Sequence, residues 1–123
     1  MRAREWAEGA SHPAPHGAIV LADEQTAGRG RLGRAWVSSP GQNLLFTLIL
    51  RPRPETVARG MLPLATALAI ADTINQFLGM PSAEIKWPND VLIGGRKCAG
   101  VLMEAISDKA VLIGIGLNVN EAA

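Results

Sequence analysis

The chain is poor in the residues that build cross-linked or metal-held sites. It has one cysteine, Cys98, which excludes an internal disulfide framework and a cysteine zinc cluster. That usage fits a reducing compartment. Its two histidines, His12 and His16, share one proline-containing loop. They show no metal-ligand spacing and no Ser/His/Asp arrangement, and lone loop histidines read as solvent-exposed bystanders. No apolar run reaches membrane-spanning length. The opening Met1-Arg2-Ala3-Arg4-Glu5-Trp6 lacks the apolar centre of a secretion signal. Net charge is only +1, which gives no reason to expect bulk nucleic-acid binding. These absences lead us to expect a cytoplasmic protein with no membrane association.

What is present is an ordinary globular composition. The 123 residues are 48% hydrophobic and 19% charged, enough for one domain with a modest core. A short helix is expected from about Arg2 to Gly9, followed by a loop from Ser11 to Gly17. Ala18 to Ala22 is wholly apolar and is expected as a strand at the sheet centre. Asn43 to Leu50 is a second strand, apolar on both faces and so expected to be buried on both, until Arg51-Pro52-Arg53-Pro54 breaks it. One long helix runs from roughly Met61 to Leu78. Ala67, Ile70, Ala71, Ile74, Phe77 and Leu78 fall on its inner face, and Gly79 is its C-terminal cap.

Strands then alternate with turns. Gly94-Gly95 signals a tight hairpin between Val91-Leu92-Ile93 and a strand starting near Lys97. Ser107-Asp108-Lys109 is another turn, and Ala110 to Val119 is the last strand. In it Val111, Ile113, Ile115 and Leu117 alternate with Leu112, Gly114, Gly116 and Asn118. The two glycines leave a shelf that a backbone or a flat ligand can approach. Asn118 beside it carries a donor and an acceptor, the equipment to read a purine edge, or else to satisfy turn backbone. The elements together suggest an α+β fold with a mixed, mostly antiparallel sheet packed with helices.

The chemistry concentrates around Gln25-Thr26-Ala27-Gly28-Arg29-Gly30-Arg31-Leu32-Gly33-Arg34-Ala35-Trp36. Glycine admits close approach and arginine offers forked donors for carboxylate or phosphate. The run is neither a Walker A loop nor a Rossmann fingerprint. It reads as a mobile anion-binding loop or, more blandly, as a solvated basic segment. Lys86, Asn89, Asp90, Lys97 and Asn118 complete a mostly cationic set, suited to bringing two anions together for phosphoryl or nucleotidyl transfer. Asp90 has the chemistry to hold Mg²⁺, or simply to form a turn.

Four stretches resemble biotin protein ligases, the biotin–[acetyl-CoA-carboxylase] ligase family. They are Asp23 to Trp36, Lys86-Trp87-Pro88-Asn89-Asp90, Gly95 to Leu102, and Gly114-Ile115-Gly116-Leu117-Asn118-Val119-Asn120. The resemblance implies a fold like the class II aminoacyl-tRNA synthetase catalytic domain. It implies activation of biotin by MgATP to biotinyl-5′-AMP, and transfer to a lysine of a biotin carboxyl carrier protein, an acetyl-CoA carboxylase subunit. By position, Gln25 would contact biotin. Gly28, Arg29, Gly30, Arg31 and Arg34 would belong to the loop over biotin and adenylate. Trp36 would pack on the adenine side, and Gly100 would lie in the same site. Lys97 would hold the biotin carboxylate and the α-phosphate, with Arg31 and Lys86 as further catalytic cations. Asn118 would meet the adenine, and Asp90 would sit near the metal. The family carries segments before and after the matched stretches. The expectation is therefore residues 1–123 as a single, partial catalytic domain, with neither an N-terminal DNA-binding domain nor a C-terminal β domain. A homodimer fits the resemblance. A non-catalytic remnant that binds adenylate or a partner is the alternative.

Overall fold

The computed structural model describes residues 2–9, 11–53, 59–107 and 109–121. Among these, six strands form one sheet in the order β1-β2-β6-β5-β4-β3. They are β1 (Ala18–Ala22), β2 (Asn43–Leu50), β3 (Ala83–Lys86), β4 (Asp90–Ile93), β5 (Arg96–Ser107) and β6 (Ala110–Asn118). Helix α1 spans Ala3–Ala7 and helix α2 spans Leu62–Leu78. Every ladder is antiparallel, so the α+β expectation holds with no parallel pairing among the described strands.

Strand alternation gives the sheet two unlike faces. Val91, Ala99, Val101, Val111 and Ile113 are buried with Ala67 and Ala71 of α2 in one cluster. Helix α2 lies across β3, β4 and β5 and ends in a left-handed cap at Gly79. The opposite face buries Ile49 and Leu112 against Ala7 of α1 and Ala14. Arg51 ties that segment down: Nη2 donates to the Ala7 carbonyl at 2.8 Å and Nε to the Ala14 carbonyl at 2.9 Å. The Arg51 amide donates to Nδ1 of His16 at 2.8 Å, so His16 is a structural acceptor and not a bystander.

Three packing expectations fail. Strand β1 is an edge strand, not a central one, and Ile19 and Leu21 stay exposed because their face lies beyond α2, which covers β3, β4 and β5. Strand β2 is fully buried only at Leu45 and Ile49; on its other face Phe46, Leu48 and Leu50 pack half-buried against the α2-side core, and Leu44 is exposed. In α2, Ala67 and Ala71 face inward as the spacing requires, but Phe77 and Leu78 are exposed at the helix end, past the sheet they would need to touch. The proposed turn at Asp108 and the break at Pro54 include residues outside those described; around the former, Ser107 pairs with Ala110.

Candidate active site

The glycine–arginine loop folds over the α1 side of the sheet and roofs a cleft of about 930 Å³. Its form follows from its glycines. A Cβ at Gly28 would stand 2.5 Å from the Trp36 carbonyl oxygen, so only glycine lets the two arms of the loop close. The Trp36 amide then donates to the Gly28 carbonyl at 2.9 Å, and Arg29 forms a bridge with Ala35. A 3-10 turn at Arg31–Gly33 makes the tip, with Leu32 held at φ 58°.

The shelf is a cross-strand pair. Gly100 of β5 stands directly opposite Gly116 of β6. The indole of Trp36 already lies on it: a Cβ at Gly116 would come within 2.6 Å of Trp36 Cε2, and one at Gly100 within 3.1 Å of Cζ3. The sequence suggested a shelf open to a flat ligand; its occupant here is the chain's own tryptophan. The indole Nε1 is buried and has no acceptor among the described residues, so this seat leaves a donor unpaired. Gly114, next along β6, faces open space, with only the Leu102 carbonyl oxygen at 3.5 Å.

Lys97 reaches the cleft because β5 carries a bulge. Val91 pairs with Ala99 but Leu92 pairs with Lys97, leaving Cys98 as the extra residue. Cys98 and Ala99 both pack on the α2 side. The insertion inverts the alternation and turns Lys97 onto the same face as Gly100. Its ammonium sits 3.2 Å from Asp90 Oδ1 and 5.2 Å from the centre of the Trp36 ring. Lys86 pairs with Asp90 across the β3–β4 turn, so both line the cleft mouth. Burial raises the Cys98 thiol above its ordinary value, which leaves it a poor nucleophile.

The loop arginines have separate partners. Arg31 Nη1 donates to Asn89 Oδ1 at 3.3 Å. Asn89 is itself buried, and its amide donates to the Val101 carbonyl. Arg29 Nη2 reaches both carboxylate oxygens of Glu104, at 2.9 and 3.2 Å. Gln25 and Arg34 line the cleft wall, and Gly28 and Gly30 shape the loop between them. Asn118 continues the shelf strand but lies beyond the residues that line the cleft. Sequence reasoning missed Glu104 altogether. The signal was there: it is the only acid in β5, in register with Gly100 and Leu102 on the cleft face.

Comparison with known proteins agrees with this geometry. Residues 5–120 match the model of the biotin/lipoate A/B protein ligase family. The chain belongs to that family. Among its curated relatives in the ligase family, the bifunctional ligase/repressor BirA of Bacillus subtilis is 45% identical over 116 residues, covering 91% of this chain and 35% of BirA. A biotin–[acetyl-CoA-carboxylase] ligase of Paracoccus denitrificans is 48% identical over 107 residues, covering 82% of this chain and 44% of that protein. Among solved structures, the Aquifex aeolicus biotin protein ligase in complex with biotin and ATP superposes with a TM-score of 0.77 at 37% identity, covering 92% of this chain and 47% of that one. The Leishmania major enzyme in complex with biotinyl-5-AMP gives 0.78 at 32% identity, covering 88% and 49%. The chain thus spans a third to a half of the length of these relatives. No helix among the described residues is long and apolar enough to cross a membrane.

Proposed function

We propose that this chain carries the adenylate-forming site of a biotin–protein ligase. A carboxylate oxygen of biotin attacks the α-phosphorus of ATP. The bond from that phosphorus to the bridging oxygen breaks, giving biotinyl-5′-AMP and pyrophosphate. The ε-amine of a carrier lysine then attacks the anhydride carbonyl, loses a proton and expels AMP, leaving an amide. The carrier is a biotin carboxyl carrier domain of acetyl-CoA carboxylase, and the setting is the cytoplasm.

Both reactants of the first step are anions, so the site's task is to neutralise and align them. The observation that carries this reading is Lys97, turned by the bulge over the glycine pair between Asp90 and the indole. Its ammonium is placed to serve the biotin carboxylate and the α-phosphate together. Arg29, Arg31 and Arg34 add charge from the roof, and Lys86 meets the outer phosphates at the mouth. Gln25 contacts biotin, while Gly28 and Gly30 let the loop approach it. The adenine shares the Gly100–Gly116 shelf with Trp36, and Asn118 meets its edge from the strand end.

No group of three or more His, Cys, Asp or Glu residues that could hold a metal is found among the described residues. The residues fit magnesium only as part of MgATP, with Asp90 supplying one carboxylate among phosphate oxygens. When bound, the ion spreads the triphosphate's charge. The loop shields the anhydride from water.

The test is to supply biotin, MgATP and a carrier domain, following pyrophosphate release and the mass of the carrier. The reading requires both pyrophosphate and one added biotinyl group on a lysine. A folded sample that yields neither would sink it.

A further inference from the structure

Glu104 has no part in the chemistry just described, yet it is an acid facing a cleft whose charged residues are mostly cations. Its strand neighbours on that face are Gly100 and Leu102, and Leu112 stands opposite. With 26% of its side chain exposed, the carboxylate is covered enough to favour a cationic partner. Its closest described partner is Arg29, 75 positions away in the chain, with one guanidinium nitrogen bridging both oxygens. Arg4 of α1 approaches less closely, at 3.8 Å.

The geometry assigns Glu104 as a positioning residue that seats the glycine–arginine loop, and with it Trp36, on the sheet. Three contacts form the chain of cause. Glu104 holds Arg29; Arg29 bridges Ala35 across the loop; Ala35 precedes Trp36, whose indole lies on Gly100 and Gly116. The second tether, Arg31 to Asn89, meets β5 at the Val101 carbonyl. Glu104 lies three residues further on, about 10 Å along the strand. The loop is thereby moored at two points on one strand, and Trp36 takes its place on the shelf from both. Glu104 thus sets how tightly the roof closes over whatever the cleft holds. For the adenylate itself, that last step rests on the ligase reading above.

The experiment needs no ligand. Trypsin cleavage after Arg31 and Arg34 reports loop opening, and emission in a Trp6→Phe/Trp87→Phe background, where Trp36 is the remaining tryptophan, reports the indole's seat. An ion pair of this exposure is worth about a two- to five-fold shift in the open population, and cleavage follows that population when opening is fast. Glu104→Gln is expected to speed both cleavages by that factor and move the emission to the red. Arg29→Gln should do the same, with no further gain in the double variant. Glu104→Asp should recover part of the protection. Arg4→Gln should leave loop cleavage and emission unchanged. If a variant lowers the urea midpoint, the ratio of loop cleavage to cleavage after Lys86 replaces the raw rate. Unaltered cleavage and emission in Glu104→Gln would overturn the proposal. So would an Arg4→Gln variant that matched Glu104→Gln, since Glu104 would then act through α1. Neither readout uses biotin or ATP, so either result stands whether or not the chain is a ligase. If it is, Glu104→Gln also releases more biotinyl-5′-AMP, whose biotinyl group bystander lysines take up as an amide with loss of AMP.

Discussion

On its α2 side the sheet carries Val91, Val111 and Ile113, each fully buried; on the other side β5 carries Lys97 and Gly100, and β6 carries Gly114 and Gly116. Strand β6 contributes to both, because its odd-numbered residues enter the core and its even-numbered ones face α1 and the cleft. One face is filled with side chains and the other is stripped of them along the shelf. The stripped face can admit a flat group, but it cannot hold the fold together. Stability must therefore come from the α2 side and from the Ile49–Leu112 cluster under α1, and function from the glycine shelf that neither cluster fills.

That division can be broken from either face. The largest effect is expected in the core. Ile113→Ala removes a side chain with no exposure and should cost about 2–5 kcal/mol, read from denaturant unfolding. On the cleft face, Lys97→Ala should slow pyrophosphate release by roughly 100-fold, on the order of the loss of one charge-stabilising donor, while moving the unfolding midpoint little. Normal adenylation by that variant would remove Lys97 from its role. Gly116→Ala tests the shelf. Its methyl would overlap the indole, so the expected outcome is a red-shifted Trp36 emission, read in the Trp6→Phe/Trp87→Phe background, and a loss of about 1–3 kcal/mol. An unshifted emission would mean that the indole does not rest there.

The smallest effect lies at the rim, where Glu121 accepts from the Ser39 amide at 2.9 Å, from its hydroxyl and from the Asn43 amide. These hydrogen bonds, the Ser39 hydroxyl's foremost, hold its carboxyl below the ordinary value. A depressed folded value stabilises above the unfolded value, near 4.3, and the benefit fades as pH falls through the folded one. Wild type should therefore melt slightly above Glu121→Gln at neutral pH. The gap should close in acid, and a gap independent of pH would contradict the assignment.

Local features were legible in the sequence because local rules produce them. Gly94-Gly95 signalled a two-residue hairpin, and Ile93 does pair with Arg96. The alternation of β6 separated core from shelf correctly. Strand order was not legible: the apolar run of Ala18 to Ala22 looks alike at the centre or the edge, and only the pairing of β2 with both β1 and β6 decides it. The site was legible as a list of residues but not as an arrangement. Nothing in Lys97-Cys98-Ala99 announces a bulge, yet the bulge turns Lys97 toward the cleft. Glu104 was lost inside an apolar strand, because its partner lies in a distant loop. The shelf was recognised, but its tryptophan occupant was not, since the indole's seat depends on how the loop closes.

The most direct test of the glycine-face site is calorimetric titration of the folded chain with biotinyl-5′-AMP. Saturable binding at one site per chain, weakened by Lys97→Ala without loss of folding, is the expected result. A folded chain that takes up no biotinyl-5′-AMP, or binds it equally well without Lys97, would contradict the account.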